Sequence, residues 1–147
     1  MGLFYNIIQP VAVFGTKSSA FVLSPATLTA DYADNRKVIA GTAGMSKLDI
    51  RYSYTTGASE TNNTLSIKIE ESSDRTNWFS LMNESASAGT STLTQRTFSD
   101  ADNTATATFT SSFGLDIFYD NIRISVKEGG VATNFGTLYM EASILGR

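Results

Sequence analysis

The sequence predicts an all-β protein, a two-sheet β-sandwich with little or no helix. Apolar and polar residues alternate along residues 48–54, 65–69, 122–126 and 138–144, and this period of two is typical of a strand with one buried face. No stretch carries a convincing apolar stripe at the helical period of 3.6 residues. Polar turns separate about eight to ten such strands, so we predict a jelly-roll-like sandwich in preference to an immunoglobulin-like one.

The central element is a predicted hairpin over residues 64–81, with the sequence TLSIKIEESSDRTNWFSL. Ile67 and Ile69 alternate with polar residues, and the following Ser and Asp residues favour a turn. The second strand then begins at Trp78, the only tryptophan of the chain, with Phe79 on the apolar face of that strand. We therefore predict that Ile67, Ile69 and Trp78 belong to the structural core.

Two further strands complete the predicted core towards the C terminus. Residues 117–127 place Ile122 and Ile124 on the apolar face of one strand, and residues 136–145 form the last strand. The preceding tract, residues 83–112, is rich in Ser, Thr and Ala but keeps strand-like alternation. Its small side chains around residues 105–112 predict close approach of a second sheet or of another subunit.

The composition limits the classes of function. A chain of 147 residues is one domain that buries roughly 70% of its unfolded surface. The net charge is −3 with no run of either sign, which argues against nucleic-acid binding. Cysteine and histidine are both absent, and with them the commonest general base and the preferred ligands of transition metals. We expect no cofactor and no metal ion.

No catalytic motif is recognisable, and we expect that the protein is not an enzyme. The glycine-rich segments lack P-loop spacing, and the serines have neither a histidine nor an S-x-x-K partner. Glu70 and Glu71 are adjacent on a predicted strand and point to opposite faces, which is the wrong geometry for glycoside hydrolysis. Asp31 and Asp34 lack the calcium-loop pattern, so we predict a solvated turn there.

The N-terminal segment, residues 1–16, is predicted to be an arm or an edge strand, and residues 17–147 form the sandwich domain. Its apolar side chains are those of Leu3, Phe4, Tyr5, Ile7 and Ile8. Because they would be an association liability if exposed, they are interface candidates that we expect another subunit to cover. Pro10 suits an arm that leaves the sandwich. No basic residue precedes the apolar part, and no apolar run approaches the ~20 residues that span a bilayer.

The run GMSKLDIRYSYTTGASETNNTLSIKIEESSDRTNWFSL, followed by DNIRISVKEGG and FGTLYMEASI, resembles a group of tailed-bacteriophage virion proteins. The resemblance covers about residue 44 to the C terminus, and its motifs are mostly structural. It implies a jelly-roll-like decoration (cement) protein on the outer surface of an icosahedral head, a homotrimer that binds the major capsid protein. Arg75 departs from the pattern, in which a glycine commonly follows the aspartate of the turn.

The sequence is also compatible with two other functions. The first is a carbohydrate-binding or host-recognition module of a phage tail or head fibre, because D-x-x-x-W turns such as Asp74–Trp78 also occur in sugar-binding sandwiches. The second is a head–tail or tail-tube component. The surroundings of Trp78 discriminate between decoration and sugar binding: an exposed ring beside acidic side chains favours a sugar site, and a buried ring favours a scaffold.

Overall fold

The structure, a computed structural model, describes residues 7–17, 23–24, 26–58, 60, 64–81, 85–87, 90–92, 95–97, 108–131 and 133–146. Within these ranges it contains strands and turns but no helix. The strands are β1 Ile7–Phe14, β2 Thr16–Lys17, β3 Leu23–Ser24, β4 Ala26–Thr27, β5 Arg36–Ala40, β6 Met45–Thr55, β7 Thr64–Ser72, β8 Phe79–Ser80, β9 Ser85–Ser87, β10 Thr90–Thr92, β11 Gln95–Thr97, β12 Thr108–Asp116, β13 Asn121–Gly129 and β14 Thr137–Gly146.

The strands form two five-stranded antiparallel sheets. Sheet one has the order β1-β14-β6-β12, with β4 also paired to β14. Sheet two has the order β11-β7-β13-β5, with β8 also paired to β7. The pairs β2-β3 and β9-β10 are separate two-stranded ribbons. The predicted all-β sandwich is confirmed.

The connectivity of the main strands is that of a jelly roll. In chain order these strands are β1, β5, β6, β7, β11, β12, β13 and β14. The first pairs with the last, and the pairing continues inwards: β5 with β13, β6 with β12, and β7 with β11. The chain is therefore one long hairpin folded over on itself. The β14-β6 and β7-β13 pairs then join neighbouring parts of that hairpin within each sheet, as in other double-sheet jelly rolls.

The core lies between the inner faces of the two sheets. The buried side chains on these faces are Leu48, Ile50, Tyr52 and Tyr54 of β6, Leu65, Ile67 and Ile69 of β7, Ile122, Ile124 and Val126 of β13, and Leu138, Met140, Ala142 and Ile144 of β14. Ile67, Ile69, Ile122 and Ile124 are each at most 2% exposed, in agreement with their predicted place in the core. Burying one such side chain contributes about 1.5–3 kcal/mol to stability.

Trp78 and Phe79 do not occupy the predicted core positions. Trp78 is half-buried and stands outside the core cluster, and Phe79 is 60% exposed. The hairpin itself is present, since β8 pairs with β7 through Glu71 and Phe79. However, β8 is only two residues long, so these rings stay at the end of the sandwich and do not reach across the sheet.

Residues 7–14 form an edge strand of the protein's own sheet. The backbone of Ile7 pairs with Leu145 and that of Ile8 with Ile144. Pro10 does not mark a departing arm, contrary to expectation, because it lies inside β1 where the register shifts between Ile8 and Val11. A proline without an N–H is tolerated at such an irregular edge position. Leu3, Phe4 and Tyr5 lie outside the described residues, and contact with another subunit stays a prediction.

The small-residue tract is described only in part. Residues 101–107 lie outside the described part of the chain, whereas Thr108–Asp116 forms β12, which pairs with β6 over its whole length. Among the described strands, β12 lies at an edge of sheet one. Contact of this tract with another subunit therefore stays a prediction.

Candidate functional site

Three loops converge at one end of the sandwich, between β5 and β6, between β7 and β8, and between β12 and β13. The N–H of Thr42 donates to the carbonyl of Asp120 at 2.8 Å, and its Oγ1 donates to the carbonyl of Tyr119 at 2.6 Å. The N–H of Ile117 donates to the carbonyl of Ser46 at 3.0 Å. These bonds tie the β12–β13 loop to the β5–β6 region.

This end carries three exposed aromatic side chains, Phe79, Phe118 and Tyr119, which we call the aromatic end. Phe118 is 77% exposed, Phe79 60% and Tyr119 43%. The ring centroids of Phe79 and Tyr119 are 6.5 Å apart with an angle of 33° between the planes. Among the described residues, the other exposed large apolar side chains are Val38 and Phe135. Large apolar side chains that are exposed at one end of a domain make that end a candidate interaction site.

A buried carboxylate holds the backbone of the aromatic end. Glu71, the residue before the last of β7, is 5% exposed. Its Oε2 accepts the N–H of Phe118 at 2.9 Å and the N–H of Tyr119 at 3.1 Å. Hydrogen bonds to a carboxylate are stronger than those between neutral groups, and they compensate its burial. The loop that presents the two rings is thus anchored to the end of a core strand.

The turn between β7 and β8 is organised by the carboxylate of Asp74. Its Oδ1 accepts the N–H groups of Asn77 and Thr76, both at 2.8 Å, and the hydroxyl of Ser72 at 2.9 Å. Its Oδ2 accepts the side-chain amide of Asn77 at 2.7 Å. The backbone bonds from Asn77 and Thr76 hold the pKa of Asp74 well below its ordinary value. The carboxylate is therefore engaged inside its own turn.

Arg75 has a backbone conformation that favours glycine. Its φ is +61°, in the left-handed region that glycine adopts without steric cost. The Arg75 side chain makes a bond that glycine lacks, since its Nε donates to Oδ1 of Asn121 at 2.8 Å. The Nδ2 of Asn121 in turn donates to the carbonyl of Ser72 at 3.1 Å, so the turn is joined to the start of β13.

Trp78 lies beside a cation and has its polar atom engaged. The guanidinium carbon of Arg123 is 4.3 Å from the ring centroid, and the indole Nε1 donates to the carbonyl of Arg75 at 3.2 Å. A cation over an aromatic face is a stabilising contact. The half-buried ring therefore matches neither the buried ring expected of a scaffold nor the exposed ring beside acidic side chains expected of a sugar site.

Arg123 is itself held by Glu70 on the outer face of sheet two. The distance from Arg123 Nε to Glu70 Oε2 is 2.8 Å, and Lys68 Nζ is 3.0 Å from Glu70 Oε1. Burial raises the pKa of Glu70, but the bonds from Arg123 and Lys68 outweigh burial and lower it overall. Glu70 thus pairs with cations on the outer face of sheet two, whereas Glu71 holds the β12–β13 loop. The two side chains serve different places, as we expect for neighbouring residues of a strand.

Two further buried glutamates fasten the opposite end of the sandwich. Glu128 accepts the hydroxyl of Tyr54 through Oε1, and the N–H of Gly136 at 2.7 Å through Oε2. Glu60 Oε1 accepts the N–H of Thr133 at 2.6 Å and that of Asn134. These contacts tie loops to strands, and each uses a carboxylate as a hydrogen-bond acceptor for the scaffold.

A shallow cleft of about 520 Å³ runs beside Phe118. It is lined by Gly44, Met45, Ser46, Lys47, Asp116, Ile117 and Phe118. A neighbouring groove of about 500 Å³ shares Lys47 and Asp116 and continues past Gly114 on the outer face of β12. The aromatic end is therefore bordered by open surface with exposed charges of both signs.

Within the described ranges, no group of three or more His, Cys, Asp or Glu side chains is arranged to hold a metal ion. Asp31 and Asp34 form the predicted polar turn: Asp31 Oδ1 accepts the N–H of Ala33 at 2.9 Å, and Asp34 Oδ2 accepts the hydroxyl of Thr29 at 3.1 Å. A search of the same residues for a helix long and apolar enough to cross a membrane finds none.

Comparisons with known proteins place the chain only among remote structural neighbours. No family model matches the sequence, and no curated protein matches it. Dimeric latent PorU from Porphyromonas gingivalis aligns over 97% of this chain with 10% identity and a TM-score of 0.47. The infectious bursal disease virus Gx strain aligns over 96% with 9% identity and a TM-score of 0.40. The VP2 subviral particle of infectious bursal disease virus aligns over 97% with 7% identity and a TM-score of 0.39.

The aligned regions correspond to 13%, 32% and 33% of the lengths of those three chains.

Sequence reasoning did not identify the aromatic end. The strand predicted over residues 117–127 includes Phe118 and Tyr119, whereas the structure places them between β12 and β13. One local signal was available: two adjacent aromatic residues stand directly before Asp120 and Asn121, and Asp and Asn favour turns. Their exposure depends on distant partners such as Thr42 and Glu71.

Proposed function

We propose that the protein is a structural virion protein, a decoration (cement) protein on the outer surface of an icosahedral bacteriophage head. In this role it binds the major capsid protein, acts as a homotrimer and has no enzymatic activity. The observation that carries the proposal is the aromatic end: Phe79, Phe118 and Tyr119 are exposed on a loop system that is anchored to the core of a jelly roll. A rigid scaffold with an exposed apolar surface suits a protein whose work is adhesion.

The buried carboxylates support the same proposal. Glu60, Glu71 and Glu128 each accept backbone N–H groups from loops, and Glu70 is paired with two cations. In these positions the carboxylates hold the sandwich together at both ends. The sequence resemblance to phage decoration proteins, over residues 44 to the C terminus, supports the more specific assignment to a capsid. A jelly roll alone does not, because this fold serves many functions.

The test is the location of this chain in intact virus particles. Quantitative mass spectrometry should give a copy number in proportion to the major capsid protein, and cryo-electron microscopy should show the sandwich on the outer surface of the head. A few copies confined to the tail would overturn the decoration role in favour of a tail component. Specific binding of a host polysaccharide by the purified protein, without binding to heads, would favour the carbohydrate-recognition alternative.

A further inference from the structure

We propose that residues 1–6 of this chain lie across the outer face of sheet one in the same subunit, in a groove that leads from Leu145 to Phe118. These six residues lie outside the described part of the chain, and the register of the strands that follow them carries the inference. From the sequence alone we expect another subunit to cover the apolar side chains of this segment, whereas the structure offers a site on the chain itself. The inference concerns the segment alone and does not depend on the proposed function.

The segment enters sheet one at the end of the sheet that carries the groove. Ile7, the first residue of β1, pairs with Leu145 of β14. Leu145 pairs with Lys47 of β6, and Lys47 pairs with Asp116 of β12, so these four residues form one row across the sheet. The later residues of β1 lie away from this row. Residues 1–6 therefore precede the row, at the end of the sandwich where β12 leads to the aromatic end.

Two open grooves continue one another along this row. The first, of about 500 Å³, has Leu145, Lys47 and Asp116 among its lining residues. The second, of about 520 Å³, shares Lys47 and Asp116 and extends to Met45 and Phe118. The strand partner of Leu145 is the first residue of β1. The path therefore begins beside the point at which the segment enters the sheet, and it ends beside Phe118.

The segment is long enough to follow this path. Neighbouring strands lie about 4.8 Å apart, so β6 is about 10 Å from β1 and β12 is about 14 Å from it. An extended chain advances about 3.3 Å per residue, so the six residues before Ile7 span about 20 Å. A segment that turns across the sheet directly before Ile7 thus brings Phe4 to Lys47, and its first residues extend beyond Asp116.

The chemistry of the segment matches that of the groove. Residues 1–6, MGLFYN, carry no charged side chain and include three large apolar or aromatic ones in succession. The groove offers apolar atoms to these side chains, because Met45 and Leu115 are only partly buried against the core. Lys47 and Asp116 are exposed and supply donors and an acceptor for the backbone groups of an extended segment. Charges of both signs beside apolar side chains therefore suit an uncharged peptide.

The covalent connection favours this segment over a separate molecule. A segment joined to its site by a short connection has an effective concentration on the order of millimolar, so it competes well with a free ligand that uses the same donors and acceptors. A second copy of the chain would supply its segment only with a loss of translational and rotational freedom. The groove begins one strand away from Ile7 of the same chain, so a contact within the subunit avoids that loss.

The experiment measures disulfide formation between the segment and the groove. The sequence contains no cysteine, so Leu3→Cys combined with Lys47→Cys in the full-length protein gives one possible disulfide within the chain. Its rate of formation under mild oxidation is measured at micromolar protein concentration by non-reducing electrophoresis. Leu3→Cys with Thr108→Cys is the distance control, because Thr108 begins β12 at the end of the strand opposite to Asp116. We expect the Lys47→Cys pair to form within one chain at least about tenfold faster than the control pair.

A further substitution separates docking from random contact. Phe4→Ala, added to the Leu3→Cys and Lys47→Cys pair, removes the ring that we place in the groove. We expect it to slow disulfide formation by about tenfold, as truncation of an aromatic anchor does at other contacts. Phe135→Ala in the same pair is the matched control, since Phe135 is 38% exposed and precedes Gly136 at the opposite end of the sandwich. The control should leave the rate unchanged.

Three results would overturn the inference. A disulfide between two chains, seen as a covalent dimer, would assign the segment to the groove of a second copy. Equal rates for the Lys47→Cys and Thr108→Cys pairs, or an unchanged rate with Phe4→Ala, would show that the segment passes the groove without docking in it. The absence of any disulfide with Lys47→Cys would place the segment elsewhere. Because the experiment uses the purified protein alone, none of these results bears on the proposed decoration role, which has its own test.

Discussion

The N–H of Phe118 donates to the buried carboxylate of Glu71 at 2.9 Å, so the most exposed aromatic residue of the aromatic end is positioned by a group at the edge of the core. The second bond of that carboxylate holds Tyr119. The exposed surface and the interior are therefore coupled. We therefore expect that a substitution at the buried residue Glu71 alters the backbone position of the exposed residues Phe118 and Tyr119.

Replacement of Glu71 by glutamine tests this coupling. The neutral amide is a weaker acceptor than a carboxylate, so we expect Glu71→Gln to lower the free energy of unfolding by about 1–3 kcal/mol. Faster hydrogen exchange at the amides of Phe118 and Tyr119 should accompany the loss. Asp49→Asn is the control, because its pair with Arg51 is exposed and such pairs contribute little. Unchanged exchange at Phe118 would show that the bond does not hold the loop.

Truncation in the core tests the assignment of the inner faces. Ile124 is fully buried in β13 and pairs across the sheet with Ile69. We expect Ile124→Ala to lower the free energy of unfolding by about 2–5 kcal/mol in urea, because it leaves a cavity. Val38→Ala on the neighbouring strand removes a side chain that is 41% exposed. We expect it to lower the free energy of unfolding by only a few tenths of the loss caused by Ile124→Ala. Equal losses would contradict the orientation of these strands.

The left-handed backbone at Arg75 gives a paired prediction. Arg75→Ala loses the bond to Asn121 and keeps a side chain at a φ of +61°. Arg75→Gly loses the same bond but removes the steric strain. We therefore expect the glycine variant to be more stable than the alanine variant by about 1 kcal/mol, measured by chemical denaturation. Equal stability of the two variants would mean that the turn carries no strain at this residue.

Asp74 predicts a loss of stability in acid. Its pKa is lowered in the folded protein because it accepts bonds from Asn77 and Thr76. The resulting stabilisation is present above the ordinary pKa of 3.8 and is lost as the pH falls from there towards the folded value. Urea denaturation at a series of pH values should show Asp74→Asn to be less sensitive to acid than the unmodified protein in this window. Identical pH profiles would show that Asp74 does not cause the loss of stability in acid.

The local pattern of the sequence determined which residues face the core. At Ile67, Ile69, Ile122 and Ile124 the alternation placed the apolar residues correctly on one face, because the side chains of a strand point alternately to its two sides. Short alternating stretches separated by polar turns also indicated the jelly roll. In such a fold most of the burial follows from alternation that is visible within a few residues of sequence.

Only the tertiary structure decided the candidate site. Trp78 and Phe79 continue the alternation, yet β8 ends after two residues and leaves both rings at the end of the sandwich. Thr42 bonds Tyr119 from 77 residues away in the chain, and Glu71 bonds Phe118 from 47 residues away. The exposure of Phe118 follows from how three loops meet. Because those contacts join segments that are far apart in the sequence, the local periodicity of the sequence does not predict them.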